Sequence, residues 1–324
     1  MAPPVTLVPS ILLVALGILS VALRFYTRIF ARQSIKWDDW LLVLALIAEI
    51  VAIAIAAIGA VGDPNGFTNT QNFSPDYVDT PQDMFFLRTN FAATAIYFTI
   101  NGAVKSSVLF MYYRIFQVEP AFRYQLFITA GLVLGWWIGS TVATLTSCIP
   151  MDKYWTNNIL DPEHCFNFNI FWVVSGAIEV FLDALILTLP IRAVLALNLS
   201  WRRKIIISGI FFLGGFVLVT GIIKVVLGYS SGSQRPSEGA ELWTIVHSGV
   251  GTISACLPTY NPLLQRILGS SLITKLSSLF SKPGNLVISE GVATRGPSND
   301  ISLEGGNIST NLKPMADATH VHQT

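Results

Sequence analysis

Charge is what this sequence has least of: Lys, Arg, Asp and Glu make up 12% of its 324 residues and nearly cancel, at a formal +1. Soluble domains carry about 25% charged residues, and half that share leaves too little polar surface to coat a water-facing globule. With no basic face there is no electrostatic footprint for a phosphate backbone, so nucleic acid is excluded as a partner. Three cysteines are too few for a disulfide-rich scaffold, and no CxxC or Cys/His spacing resembles a zinc site, so no metal is expected. The apolar runs do not alternate with polar residues, which excludes a membrane β-barrel.

What is present is apolar: 52% of residues are hydrophobic, with a mean hydropathy of +0.58. A helix crossing about 30 Å of hydrocarbon needs about 20 mostly apolar residues. Seven stretches qualify: Leu7–Phe25, Trp40–Ala60, Phe91–Phe116, Leu126–Cys148, Ile170–Leu195, Ile205–Tyr229 and Leu242–Leu264. Helices keep every backbone group paired in lipid. The sequence therefore reads as an all-α membrane protein, a seven-transmembrane-helix bundle whose first partner is the bilayer.

Lys and Arg in short loops stay cytoplasmic. Basic residues cluster after the first, third, fifth and seventh stretches: Arg24, Arg28, Arg32 and Lys36, then Arg114 and Arg123, then Arg192, Arg202, Arg203 and Lys204, then Arg266, Lys275 and Lys282. The opposite side has only Arg88, Lys153 and Arg235. This places the N-terminus outside and the C-terminus in the cytoplasm. The first stretch would alternatively be a cleaved signal peptide, but no positive charge precedes it and a basic cluster, not a small-residue cleavage site, follows it.

The transmembrane domain spans residues 1–268. Leu268, Leu272, Ile273, Leu276, Leu279 and Phe280 recur at helical spacing, which predicts an amphipathic membrane-surface helix over 269–282. Residues 283–324 are rich in Gly, Ser, Asn and Thr and read as a disordered cytoplasmic tail. No sorting or lipidation motif stands out, and a plasma-membrane address fits a sensor better than an internal membrane.

On the outer side, Asn72-Phe73-Ser74 is a glycosylation sequon. Cys148 and Cys165 both fall on the oxidising side, either as a bridge stabilising its loop by roughly 3 kcal/mol or as two buried thiols. Cys256, within the seventh stretch, reads as a small apolar filler. Trp37, Trp40, Trp155, Trp172, Trp201 and Trp243 lie near membrane boundaries as interfacial anchors, and Pro190 ends or kinks the fifth helix.

Ionisable groups near a bilayer centre cost on the order of 3 kcal/mol each and need partners, water or a function. The candidates are Glu49, Lys105, Glu179, Asp183, Lys224 and His247. Counting residues from helix ends puts Glu49 and Glu179 near the midplane, Lys105 and Asp183 in the inner half, and Lys224 and His247 toward the outer face. Lys105 and Asp183 then form a pair, either a structural tie or a switch that opens on activation. Glu179 and Asp183 share a helix face, a spacing that also suits acid–base work. A buried lysine such as Lys224 suits a retinal Schiff base, yet opsins carry that lysine in the seventh helix, where this chain has His247; no cofactor is expected.

Arg24-Phe25-Tyr26-Thr27-Arg28, the run Trp37-Asp38-Asp39-Trp40, Lys105 through Tyr112-Tyr113-Arg114 to Phe116, Cys148 to Trp155 with Cys165, and Asp183 to Pro190 form a pattern. In these the chain resembles the fungal rhodopsin-domain family of seven-helix integral membrane proteins, which includes the Pth-eleven-like receptors and a satratoxin-cluster membrane protein. The resemblance implies the seven-helix fold and a sensory or pathway-associated role, with no catalytic residues to carry over. Physically, Asp38 and Asp39 are expected to cap the second helix, with Arg32 and Lys36 as neighbours for pairing. Asn261-Pro262-Leu263-Leu264 lacks the tyrosine of broader receptor signatures, so coupling to a heterotrimeric G protein rests on the resemblance alone.

Two functions fit. One is a receptor-like, non-enzymatic sensor of a small lipophilic ligand entering from the outer side. The other is an accessory membrane protein, embedded enzyme or transporter of a secondary-metabolite pathway.

Overall fold

Long apolar runs with few breakers become helices, and a computed structural model describes residues 7–63, 80–115, 120–156, 163–195, 201–229, 238–260 and 263. It contains α1 (Leu7–Phe30), α2 (Trp37–Gly62), α3 (Pro81–Ile115), α4 (Pro120–Leu145), α5 (Phe168–Leu195), α6 (Trp201–Gly228) and α7 (Glu238–Cys256). Short 3-10 turns occupy Met151–Tyr154 and Leu257–Tyr260. Among the described residues the only strand-like feature is one bridge between Cys148 and Cys165. Five helices, α1, α2, α4, α5 and α6, are long and apolar enough to cross a membrane.

The other two, α3 and α7, also carry several polar residues that point inward. Asn101, Lys105 and Ser107 on α3 and His247, Ser248 and Thr252 on α7 are all buried. Their hydropathy is low because of what they present to the interior. Each helix packs on its chain neighbours, α7 returns to α1, and α3 also touches α5 and α7. The outward faces are apolar, as Leu12, Leu19, Ile47 and Phe181 illustrate, whereas Arg24, Asp39, Glu179 and Lys224 are sealed inside. That inversion of the water-soluble pattern is what a hydrocarbon surround selects.

Several helix bounds differ from those that hydropathy predicts. The first helix runs on to Phe30 and the second starts at Trp37, because charged residues interrupt an apolar count without interrupting backbone hydrogen bonding. The third begins at Pro81, ten residues early, where Thr80 and Asp83 form a reciprocal cap. Thr80 N donates to Asp83 Oδ2 at 2.9 Å and Asp83 N donates to Thr80 Oγ1 at 3.2 Å. The seventh ends at Cys256 instead of Leu264, since Pro258 has no N–H to continue it. Pro190 lies inside α5, which continues to Leu195, so that proline does not end the helix.

Aromatic side chains from α3, α4 and α5 form the largest core cluster, around Phe98, Trp136, Phe168 and Trp172. Trp137 of α4 lies against the bare backbone of Gly102 on α3, where a Cβ would meet the indole ring. Gly102→Val is therefore expected to destabilise the bundle by roughly 1–3 kcal/mol through overpacking. Thermal melting of the purified variant checks this; an unchanged midpoint would show that the ring relocates freely.

Asn72, the predicted surface helix 269–282 and the tail 283–324 lie outside the described residues. So do the side chains of Arg192, Trp201, Arg202, Arg203 and Lys204.

Candidate functional site

Glu179 and Asp183 are one turn apart on α5, and Tyr97, Asn101 and Lys105 recur every fourth residue on α3. Two helix faces so patterned meet in the core. Lys224 Nζ of α6 lies 2.5 Å from Glu179 Oε2 and donates to the Tyr97 hydroxyl at 2.6 Å. That hydroxyl in turn donates to Glu179 Oε2 at 2.7 Å. The rings of Tyr97 and Trp172 lie 4.9 and 5.4 Å from the ammonium, adding cation–π attraction. Lys105 Nζ sits 2.5 Å from Asp183 Oδ1 and 3.7 Å from Glu179 Oε1. His247 Nε2 of α7 faces Glu179 Oε1 at 3.4 Å and Asp183 Oδ2 at 3.6 Å.

One fully buried carboxylate thus ties α5 to α3, α6 and α7. Two lysines balance two carboxylates, so the cluster is neutral when His247 is neutral. Glu179 Oε1 and Asp183 Oδ2 have no hydrogen bond among the described residues.

Lys224 and His247 join the group that counting from helix ends had spread over three depths. That count assumes helices starting level, and α3 alone begins ten residues before its apolar stretch. Glu49 is not brought in: it faces Thr252 of α7, whose Oγ1 is 3.5 Å from its Oε2. Trp172 is 7% exposed, packed beside Lys224, and is no interfacial anchor. Trp37 and Trp40 are 76% and 58% exposed at the start of α2. Tyr97, Trp172 and Thr220 were missed as members of the site. The four-residue spacing of Tyr97, Asn101 and Lys105 within an apolar helix was the available signal for Tyr97.

A cavity of about 80 Å³ adjoins the cluster between α3, α5, α6 and α7. Lys105, Asp183 and His247 line one end, and Val108, Ile186 and Val217 line the body. It extends toward the end of the bundle where α2 begins, since Ala255 and Pro258 also line it. That is the opposite end from the Cys148–Cys165 loop.

At that end a second buried network closes the bundle. Arg24 and Arg28, one turn apart on α1, straddle Asp38 and Asp39 at the start of α2. Arg24 Nη2 and Arg28 Nη2 reach Asp38 Oδ2 at 2.7 and 2.5 Å, and their Nε atoms reach Asp39 Oδ1 at 2.7 and 3.3 Å. Arg24 Nη1 also donates to Ala255 O of α7 at 2.9 Å, and Ser107 Oγ of α3 donates to Asp38 O at 2.6 Å. Asp39 does cap its helix, accepting from Lys36 N at 3.2 Å. The side-chain partners, however, are Arg24 and Arg28 and not Arg32 and Lys36. Helical periodicity turns the first two inward, while Arg32 lies beyond the helix end. Arg114 stays outside this network and donates to Ser34 O at 3.2 Å.

At the far end Cys148 and Cys165 form a disulfide beside Phe91 and Tyr154, and Arg88 stacks over Trp155 at 4.9 Å. Cys256 is a buried free thiol. Among the described residues, no group of His, Cys, Asp and Glu could hold a metal ion.

The fungal rhodopsin domain matches residues 23–266. The chain is similar to a polyenoic acids biosynthesis gene cluster protein of Metarhizium anisopliae, 28% identical over 278 residues, covering 81% of this chain and 74% of that protein. It is similar to a satratoxin biosynthesis cluster protein of Stachybotrys chartarum, 30% identical over 178 residues, covering 55% of this chain and 65% of that one, just under two thirds of its length. It is also similar to the receptor GIN3 of Arthrobotrys oligospora, 26% identical over 288 residues, covering 86% of this chain and 67% of that one. No solved structure matches the chain.

Proposed function

The chain belongs to the fungal rhodopsin domain family, and on that premise we propose that it is a non-enzymatic, receptor-like sensor of a small lipophilic molecule. In this reading all seven helices cross the membrane, with the N-terminus outside, at the plasma membrane. The basic loops report to a cytoplasmic partner, a heterotrimeric G protein. The observation that carries the proposal is Glu179, which faces Lys224 at 2.5 Å, His247 at 3.4 Å and Lys105 at 3.7 Å, each on a different element or turn of the bundle. A ligand that shifts any one of these partners changes how four helices pack, which is what a switch between two arrangements requires. The same pairing argues against acid–base catalysis, because Glu179 Oε2 is already occupied by Lys224 and Tyr97.

The second reading, an accessory protein, embedded enzyme or transporter of a secondary-metabolite pathway, is favoured by the names of relatives from polyenoic acid and satratoxin clusters. An untargeted metabolite profile, inside and outside, of cells lacking the gene separates the two. The sensor reading expects no single intermediate to accumulate with its product missing; such an accumulation would sink it in favour of the pathway role. In complemented cells, the exchange Lys105→Asp with Asp183→Lys is expected to restore the amount of protein in the membrane but not the cellular response. Equal restoration of both would make the pair a structural tie only.

A further inference from the structure

We infer that the cavity beside Asp183 binds the hydroxyl-bearing end of a small, otherwise apolar alcohol, its hydroxyl donating to Asp183 Oδ2. This rests on the sensor reading and names the chemistry of its ligand. The unpaired acceptors beside the cavity lead there. Thr220 Oγ1 lies 2.8 Å from Val217 O and 3.3 Å from His247 Nδ1. His247 Nε2 faces Glu179 Oε1 and Asp183 Oδ2, at 3.4 and 3.6 Å.

Neither carboxylate oxygen has a hydrogen bond among the described residues, and of the two residues Asp183 lines the cavity. A cationic ligand would leave the buried cluster with an uncompensated positive charge, which a low-dielectric interior disfavours. A neutral hydroxyl donates its one proton to Asp183 Oδ2 and keeps the charge balance.

Size and lining define the rest of the molecule. The cavity, about 80 Å³, is roughly half of the 150 Å³ that holds benzene in an apolar protein cavity, so it admits a few non-hydrogen atoms and no aromatic ring. A buried water needs two to four polar partners; several stand at the Asp183 end, and only Tyr112 and Ser254 line the cavity further along. Val104, Val108, Ile186, Leu187 and Val217 line the body between them. A short carbon chain suits those walls better than further water.

The test uses the purified full-length chain in lipid nanodiscs, with 1-propanol as probe and 1-chloropropane as the probe of similar shape that lacks a donor. Propanol is expected to raise the melting temperature saturably by several degrees, and chloropropane is not. Gly251 lines the cavity, and a side chain there would enter open space. Gly251→Leu should therefore fill the cavity without touching the ionic groups, melt no lower than the parent and lose the propanol response. Should Gly251→Leu fail to fold, Gly251→Ala adds a single methyl at the same place and should weaken the response at fixed propanol.

Equal effects of the two probes, no effect of propanol, or an undiminished response in the folded Gly251 variant would each overturn the assignment. A propanol response in vitro without any cellular response would overturn the sensor reading and leave the site standing.

Discussion

Glu179→Gln is expected to destabilise the protein by about 3–5 kcal/mol, enough to deplete it from the membrane, because it strands Lys224 in the core. Lys224 is 1% exposed, and Glu179 is the only carboxylate within 4 Å of it among the described residues. The Tyr97 hydroxyl and the two aromatic faces cannot replace a full negative charge. Lys224→Met should cost less, since Glu179 keeps Lys105 at 3.7 Å and His247 at 3.4 Å. The double variant Glu179→Gln with Lys224→Met restores charge balance and should recover most of the loss, as replacement of a buried pair by neutral groups often does. Thermal melting in nanodiscs and the yield of membrane-inserted protein read all three. A double variant as unstable as Glu179→Gln alone would mean that the stranded ammonium is not the cause.

The second large effect is expected at Arg24, which is 0% exposed and ties three elements together. Its guanidinium reaches Asp38 and Asp39 at 2.7 Å each and Ala255 O at 2.9 Å. Arg24→Met leaves two buried carboxylates facing Arg28 alone and frees the end of α7, so a loss of about 3–5 kcal/mol is expected. Arg24→Lys keeps the charge but not the fork that serves three acceptors in fixed directions, and should recover only part of the loss. Arg28→Met should be milder, because one of its nitrogens serves Gln33 at 2.8 Å and not the acidic pair. Melting midpoints ranked Arg24→Met lowest, Arg24→Lys next and Arg28→Met nearest the parent would support this network; full rescue by lysine would show that charge alone matters.

These two networks show where the sequence was legible. Arg24 and Arg28 are separated by one helical turn, and Asp38 and Asp39 sit where a helix must start, so both groups were identifiable as motifs. Their pairing was not, because hydropathy treats Arg32 and Lys36 as equally near neighbours. Only the helix phase shows that Arg24 and Arg28 face inward. Lys105 and Asp183 could be matched by depth because both lie well inside long apolar runs. Lys224 and His247 could not, since residue counts from apolar boundaries miss polar first turns such as the one Thr80 and Asp83 begin.

By itself, the sequence determined that the chain is an all-helical membrane protein, because long apolar stretches in lipid leave the backbone no other economical way to pair its polar groups. The tertiary structure decided which buried charges neutralise one another and where a cavity opens beside them. Such partners lie up to 78 residues apart in the chain, and ionic attraction depends on distances of a few ångströms that no spacing along a single helix encodes.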